Sequence, residues 1–270
     1  MLQLVPTPIG NIADMTLRAM SALGEADVLL CEDTRVTKQL LHILKERYNL
    51  KTKEEQHFIA LHSHNEDAFL KELTPDFFQK NVVYVSDAGM PGISDPGMKL
   101  VAYAQRHGIE YDVLPGANAV LTAFAASGFD ATQFLFFGFL PHKGKERESS
   151  LQAALGSGYV TVLYESPHRL RKLLEEIGRN DPKRELFLAK ELTKRYQRYF
   201  RGTAAKLLEQ IGTNVKGEWV VVVQKGALQE ATTFTKEEIA SLELPKKQKA
   251  KLLAKVTGKS IKECYNELLS

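Results

Sequence analysis

The chain has 270 residues, 44% hydrophobic and 26% charged, with a formal net charge of +3. That composition suits a soluble globular protein long enough for two domains. No apolar run approaches a membrane span, the chain opens on a strand rather than a signal peptide, and so small a net charge does not by itself announce a nucleic-acid binder. The two cysteines, Cys31 and Cys264, lie far apart and suit reduced thiols in the cytoplasm.

The first strand, Leu2-Gln3-Leu4-Val5, ends in a Pro/Gly-rich loop, Val5-Pro6-Thr7-Pro8-Ile9-Gly10-Asn11. Asp14 or Thr16 can cap a helix to about Leu23, with Leu17, Met20 and Leu23 on one face and Gly24 as its stop. Val28 to Cys31 is a short buried strand that runs into the polar turn Glu32-Asp33-Thr34-Arg35. A helix from Val36 to about Arg47 follows, with Leu40, Leu41 and Leu44 as its apolar face. Phe58 to Leu61 is the next strand, ending at His62-Ser63-His64-Asn65, and a helix carries Phe69, Leu70 and Leu73.

Val82 to Val85 then delivers the stretch Ser86-Asp87-Ala88-Gly89-Met90-Pro91-Gly92-Ile93-Ser94-Asp95-Pro96-Gly97. Glycine lets backbone approach a ligand, and proline limits the entropy lost when the loop is ordered. Two Ser-Asp pairs add polar groups, so the stretch reads as a ligand loop at the carboxyl end of a strand. It matches neither the G-x-G-x-x-G nor the G-x-x-x-x-G-K-[ST] nucleotide motif. A helix from about Met98 to His107 and a strand at Tyr111 to Leu114 complete this half. Alternating strands and helices imply a parallel α/β sheet, with the five strand-end loops gathered at one edge.

Past Pro115-Gly116-Ala117-Asn118, a small-residue helix runs from Val120 to Ser127. Strands are expected at Phe134–Phe137, Tyr159–Tyr164, Leu186–Ala189, Tyr196–Phe200 and Gly217–Val223, with a helix from Pro167 to Gly178. Fewer helices separate these strands, so the sheet should be mixed. Thr235-x-x-Glu238 and Ser260-x-x-Glu263 are capping-box patterns in a lysine-rich tail. The expected division is an N-terminal parallel α/β domain over 1–115, a mixed α/β domain over 116–226 and a helical extension over 227–270.

His62 and His64 invite a metal reading, but lack further ligands at suitable spacing, so no metal is expected. The basic clusters are more consistent. Lys143, Lys145 and Arg147 form one; Lys194, Arg195 and Arg198, interleaved with Tyr196 and Tyr199, form another; the tail is a third. Cations with aromatics suit phosphate contacts and base stacking on RNA. Glu165, at a strand-to-helix junction, and Lys190, at a strand end, are placed like site residues.

The stretches VPTPIGN, CEDTR, HSHNE, VSDAGMPGISDPG, LPGANA, FGFLPHKG, LYESPHR, AKELTK and KGEWVVVV occur in that order over about the first 225 residues. Together they resemble the ribosomal RNA small subunit methyltransferase I family, the 16S rRNA cytidine 2′-O-methyltransferases of the tetrapyrrole methylase superfamily. The resemblance implies a two-domain tetrapyrrole-methylase-like fold (class III S-adenosylmethionine-dependent methyltransferases) with a small C-terminal helical appendage. It implies a homodimer acting on a cytidine ribose of 16S rRNA in the small ribosomal subunit. Carried over by motif, S-adenosyl-L-methionine should meet Pro8, Ala88, Gly89, Met90 and Ile93, then Asn118 and Ala119, and from the second half Glu165 and Leu192. Met90 stands where relatives commonly carry Thr, and Asn118 where Ser is commoner. The chemistry needs a proton acceptor for the ribose hydroxyl and a cation near the developing oxyanion. Glu165 or Asp87 is nominated for the proton and Lys190 for the charge. The competing readings are a methylase of tetrapyrroles or another small substrate, whose first loop is typically G-x-G-P-G-like, and a non-catalytic RNA-binding assembly factor.

Overall fold

The computed structural model describes residues 1–213, 215–226 and 235–269. The chain divides into two compact units, Met1–Ala227 and Leu228–Ser270. The first unit holds two five-stranded sheets.

The first sheet has β1 (Leu2–Leu4), β2 (Val28–Cys31), β3 (His57–Ala60), β4 (Val82–Val85) and β5 (Tyr111–Val113), in the order β3-β2-β4-β1-β5. All four pairings are parallel. Helices α1 (Leu17–Glu25) and α2 (Thr34–Tyr48) bury Leu23, Leu41 and Leu44 on one face, against Leu29, Val83 and Val85. Helices α3 (Glu66–Glu72) and α4 (Met98–Arg106) cover the other, packing Phe69, Leu100 and Tyr103 against Leu4, Leu30 and Tyr84. The neighbours β1 and β4 therefore send their connections to opposite faces. Such a switch point leaves a crevice beyond the strands' carboxyl ends, where ligands bind in open α/β sheets.

The second sheet has β6 (Phe134–Phe139), β7 (Val160–Glu165), β8 (Glu185–Lys190), β9 (Arg198–Thr203) and β10 (Trp219–Val223), in the order β6-β7-β10-β8-β9. β6 and β7 run parallel and the other pairs antiparallel, so the sheet is mixed, as expected. Helices α6 (Gly144–Gly156), α7 (Pro167–Asn180) and α8 (Ala204–Ile211) cover one face through Leu155, Leu170, Ile177 and Leu207. The other face receives α5 (Ala119–Ser127), together with Ile9 and Leu192.

Two glycines expected to end helices lie inside them. Helix α1 runs through Gly24 to Glu25, capped at its start by Thr16 Oγ1, which accepts from Ala19 N–H at 3.1 Å. A Cβ on Gly24 would run into the Lys51 carbonyl oxygen. Helix α7 runs through Gly178, where a Cβ would lie 3.2 Å from Ala204 Cβ of α8. Both glycines serve close approach between segments rather than termination.

The second unit contains α9 (Lys236–Ser241), α10 (Lys246–Thr257) and α11 (Ile261–Glu267) around Ile239, Ala250, Leu253 and Cys264. Both expected capping boxes form, Thr235 with Glu238 and Ser260 with Glu263. Residues 227–234 of the expected extension lie outside the described residues.

Alanine normally stabilises a helix interior relative to glycine by about 1 kcal/mol. At Gly24 the sign should invert. Gly24→Ala should destabilise the protein by about 1–3 kcal/mol in urea unfolding, because the added methyl meets backbone.

Candidate active site

The crevice at the switch point is built mainly of main chain. Thr7 N–H donates to the Gly89 carbonyl at 2.9 Å, and Gly89 N–H donates back to the Thr7 carbonyl at 3.0 Å. This isolated antiparallel bridge ties the loop after β1 to the loop after β4. Gly89 sits at φ 88°, a left-handed conformation that L side chains rarely adopt. The next turn closes through Gly92 N–H to the Pro96 carbonyl at 3.0 Å and holds Ser94 at φ 75°. Asn118 Oδ1 accepts from Leu121 N–H at 3.0 Å and so caps α5. A serine could fill the same role, which explains the Ser/Asn exchange expected here.

The second sheet supplies the opposite wall. Between β8 and β9 the backbone is left-handed at two non-glycine residues, Glu191 (φ 51°) and Thr193 (φ 63°). Asn11 N–H donates to Thr193 Oγ1 at 3.0 Å, joining the first loop to this segment. Left-handed residues that surrounding bonds hold in place concentrate at functional sites.

Between these walls lies a cavity of about 410 Å³, within the range of roughly 300–1,000 Å³ that small-ligand sites occupy. Ile9, Ala88, Gly89, Met90 and Ile93 line it from the loops after β1 and β4, and Asn118 and Ala119 from the start of α5. Leu192, Tyr164, Glu165, Trp219 and Val220 line it from the second sheet. Of the residues expected to meet a cofactor, only Pro8 falls outside the lining, where its neighbour Ile9 stands instead. Among the described residues no Lys, Arg or His side chain lines the cavity, whereas Asp95, Glu165 and Glu218 do.

Asp95 is not among the catalytic residues nominated from sequence, although the second Ser-Asp pair that contains it is visible there. Burial, reinforced by the carboxylates of Glu32 and Asp87, raises its pKa to about 6, while the Ser86 hydroxyl works against the shift. It is thus a carboxylate at the cavity wall whose proton affinity lies close to neutrality.

The sequence family described as Tetrapyrrole (Corrin/Porphyrin) Methylases matches residues 1–208. The chain is 46% identical to ribosomal RNA small subunit methyltransferase I of Helicobacter pylori, over all of this chain and 98% of that one. It is 44% identical to the protein of that name from Campylobacter fetus subsp. fetus, with both chains fully covered. The crystal structure of uroporphyrin-III C-methyltransferase from Thermus thermophilus, complexed with S-adenosylhomocysteine, shares the fold. Its TM-score is 0.54 at 17% identity, over 82% of this chain and 96% of that one. The chain belongs to the ribosomal RNA small subunit methyltransferase I family.

Against that family background, several nominated residues have other work. The Glu165 carboxylate is fully enclosed and both of its oxygens are occupied. Oε1 meets Arg169 Nη2 at 2.6 Å and accepts from Ser166 N–H at 2.9 Å, and Oε2 meets Arg147 Nη2 at 3.4 Å. Arg147, expected at the RNA surface, is 3% exposed and also pairs with Glu176 at 2.8 Å. The two arginines donate onward to the carbonyls of Pro141 and Leu140, at 3.1 and 3.2 Å. This network therefore fixes the strand end of β6 and the start of α7.

Asp87 lies outside the cavity lining. Its carboxylate accepts from Asp33 N–H at 3.0 Å, and burial raises its pKa. Lys190 also lies outside the lining, with Nζ 5.2 Å from the centre of the Trp219 ring. Lys194 pairs with Glu191 at 3.2 Å and Glu218 at 3.0 Å. Lys143, Lys145, Arg195 and Arg198 are exposed.

Replacing one member of a buried ion-pair network strands its partners and costs about 3 kcal/mol. Glu165→Gln should therefore lower the urea midpoint at unchanged slope, by a ΔΔG of that order. A residue acting only as proton acceptor would leave the midpoint where it is.

Proposed function

We propose that the cavity binds S-adenosyl-L-methionine and that the chain methylates 16S ribosomal RNA of the small subunit on the 2′ oxygen of a cytidine ribose. The observation that carries this reading is the charge of the cavity. Its walls are apolar, Asp95 stands among its lining while the lining residues Glu165 and Glu218 are paired with cations from outside it, and no basic side chain faces it among the described residues. A phosphate-bearing nucleotide would meet no cation there, while a sulfonium with an adenine base fits. The same chemistry disfavours a carboxylate-rich tetrapyrrole in this cavity. The exposed cations Lys143, Lys145, Arg195 and Arg198 lie outside it, where they suit a phosphate backbone.

When bound, S-adenosylmethionine supplies a methyl group already activated on a positive sulfur. Ile9, Leu192 and Val220 exclude water from it, and the Ala88–Met90 backbone orients it. Asp95 takes the proton that the ribose hydroxyl loses. Its ionised form is the active one, so kcat/KM should fall as pH drops through about 6 and level off above it. The exposed side chains of Leu17, Met98 and Leu121 are apolar surface that a second copy would cover, and we place a homodimer in the cytoplasm within the same reading.

Methyl transfer from labelled S-adenosylmethionine to small subunits, with mapping of the labelled ribose, tests the reaction; label confined to a tetrapyrrole precursor would refute it. Asp95→Asn should lower kcat by about 100-fold or more and lose the acid limb, with S-adenosylhomocysteine affinity kept within a few-fold. Removing residues 227–270 should flatten the dependence of log affinity on log salt by about 0.7–0.9 for each phosphate that the protein no longer neutralises. An unchanged slope would take the lysine-rich unit out of RNA binding.

A further inference from the structure

Phe139 is 55% exposed, yet it stands in the lining of the cavity. Strand alternation alone does not put it there. Phe134 and Phe136 pack on the face that carries Val162 and Val220, and Phe137 packs on the opposite face with Leu163 and Leu140. Continued alternation would send Phe139 to the side of Phe137. Instead the register between β6 and β7 shifts between Phe136 and Gly138, and Gly138 adopts φ 64°. The extra residue returns Phe139 to the cavity side, paired in register with Tyr164. A bulge beside a site commonly re-aims a side chain in this way.

The ring is held from behind. Its centroid is 5.5 Å from that of Tyr164 at 56°, and Tyr164 is in turn 5.1 Å from Phe136 at 70°. Tyr164 lines the same cavity as Asp95. Burial pushes its hydroxyl up to about 12, with the Asp95 carboxylate adding to the shift. Beyond Phe139 the chain passes Leu140 and Pro141, whose carbonyls are gripped by Arg169 and Arg147, and reaches exposed His142, Lys143 and Lys145. One short segment thus presents an open aromatic face to the cavity that Asp95 also lines, followed at once by cations.

We propose that Phe139 is the platform on which the base of the target nucleotide stacks, unpaired, at the cavity mouth. The proposal rests on the reading of the chain as an RNA ribose methyltransferase. Its occupant is a single unstacked base, because a paired duplex cannot bring one ribose into a concave site, whereas a flipped base is held by stacking on an aromatic ring. Phe139 acts as a specificity and positioning residue: it holds the base so that the attached ribose faces Asp95, and Lys143 and Lys145 take the neighbouring phosphates.

The test compares wild-type protein with Phe139→Ala, Phe139→Leu and Phe139→Tyr. Three quantities are measured: affinity for unmethylated small subunits in the presence of S-adenosylhomocysteine, affinity for S-adenosylhomocysteine alone, and methyl transfer. Loss of one base stack should weaken subunit affinity by about 5- to 100-fold in Phe139→Ala. Phe139→Leu should stay weakened and Phe139→Tyr should match wild type. S-adenosylhomocysteine affinity and the melting temperature should be unchanged in all three. Subunit affinity of Phe139→Leu equal to wild type would make the residue a plain apolar wall and overturn the platform. An equal loss of S-adenosylhomocysteine affinity would make it part of the cofactor site and overturn it too. Subunit binding needs no turnover, so the two readings separate. Wild-type methyl transfer with an unaffected Phe139→Ala removes the platform and keeps the reaction. Absence of any methyl on RNA, with subunit binding still dependent on the Phe139 ring, removes the reaction and keeps the platform.

Discussion

Two hydrogen bonds between Thr7 and Gly89 hold the site together. They sit where the neighbouring strands β1 and β4 send their connections to opposite faces, so that the loops diverge and leave room. Each bond is worth about 1 kcal/mol on its own. Their larger effect is to make two loops one rigid surface. A Cβ on Gly89 would lie 3.2 Å from Ile9 Cγ2 and 3.7 Å from the Ala117 carbonyl oxygen, so a third loop is packed to the same point. Gly116 shows the same closeness, with a hypothetical Cβ 2.6 Å from Pro6 Cβ. The glycines and prolines of these loops therefore belong to one packing arrangement, and the cavity wall they form is largely backbone.

That wall becomes a cavity only because the second sheet closes on it. At the seam the chain accepts local strain at Glu191 and Thr193, of order 1–3 kcal/mol per residue. Hydrogen bonds offset it from both sides. Glu218 N–H donates to Glu191 Oε1 at 2.8 Å, Thr193 N–H donates to Gln197 Oε1 at 2.5 Å, and Asn11 N–H reaches Thr193 Oγ1. Leu192, between the two strained residues, is delivered into the cavity. A ligand meeting such a wall loses little entropy in ordering it.

How much of this was legible in the sequence follows from what each feature depends on. Buried strands such as Val82–Val85 and Trp219–Val223 announce themselves by unbroken apolar runs, and both capping boxes could be read from four residues each. Helix α6 could not. Its buried apolar residues, Leu151, Ala154 and Leu155, fall in its last turns, so no helical stripe spans it. Gly24 and Gly178 looked like stops because a sequence does not show what lies alongside a helix. The site divides in the same way. Loop residues contributing backbone were found from composition and motif, since glycine and proline constrain the chain wherever it goes. Side-chain roles were not, because they depend on partners distant in sequence. The sequence shows Glu165 at a strand end but not Arg147 and Arg169, which enclose it, and Asp95 gains its proton affinity from burial and from Glu32 and Asp87 on neighbouring loops.

The same dependence changes how the basic clusters should be counted. By sequence, Arg147 and Lys194 belong with Lys143, Lys145, Arg195 and Arg198. In the fold the first two are engaged: Arg147 in a buried network that supports β6, Lys194 between Glu191 and Glu218. Only the exposed members can release counterions from a phosphate backbone, so the electrostatic part of RNA binding must be weaker than the composition suggests. Arg147, bound to the Pro141 carbonyl, and Arg169, bound to the Leu140 carbonyl, fix the backbone that carries Phe139 on one side and Lys143 on the other, which on the proposed reading is an indirect part in recognition. With no basic side chain in the cavity among the described residues and exposed cations outside it, long-range attraction can bring RNA to the surface but not draw a phosphate inward. On the proposed reading, the contact that brings the ribose to Asp95 is short-range and uncharged, and an aromatic face at the cavity mouth meets that requirement.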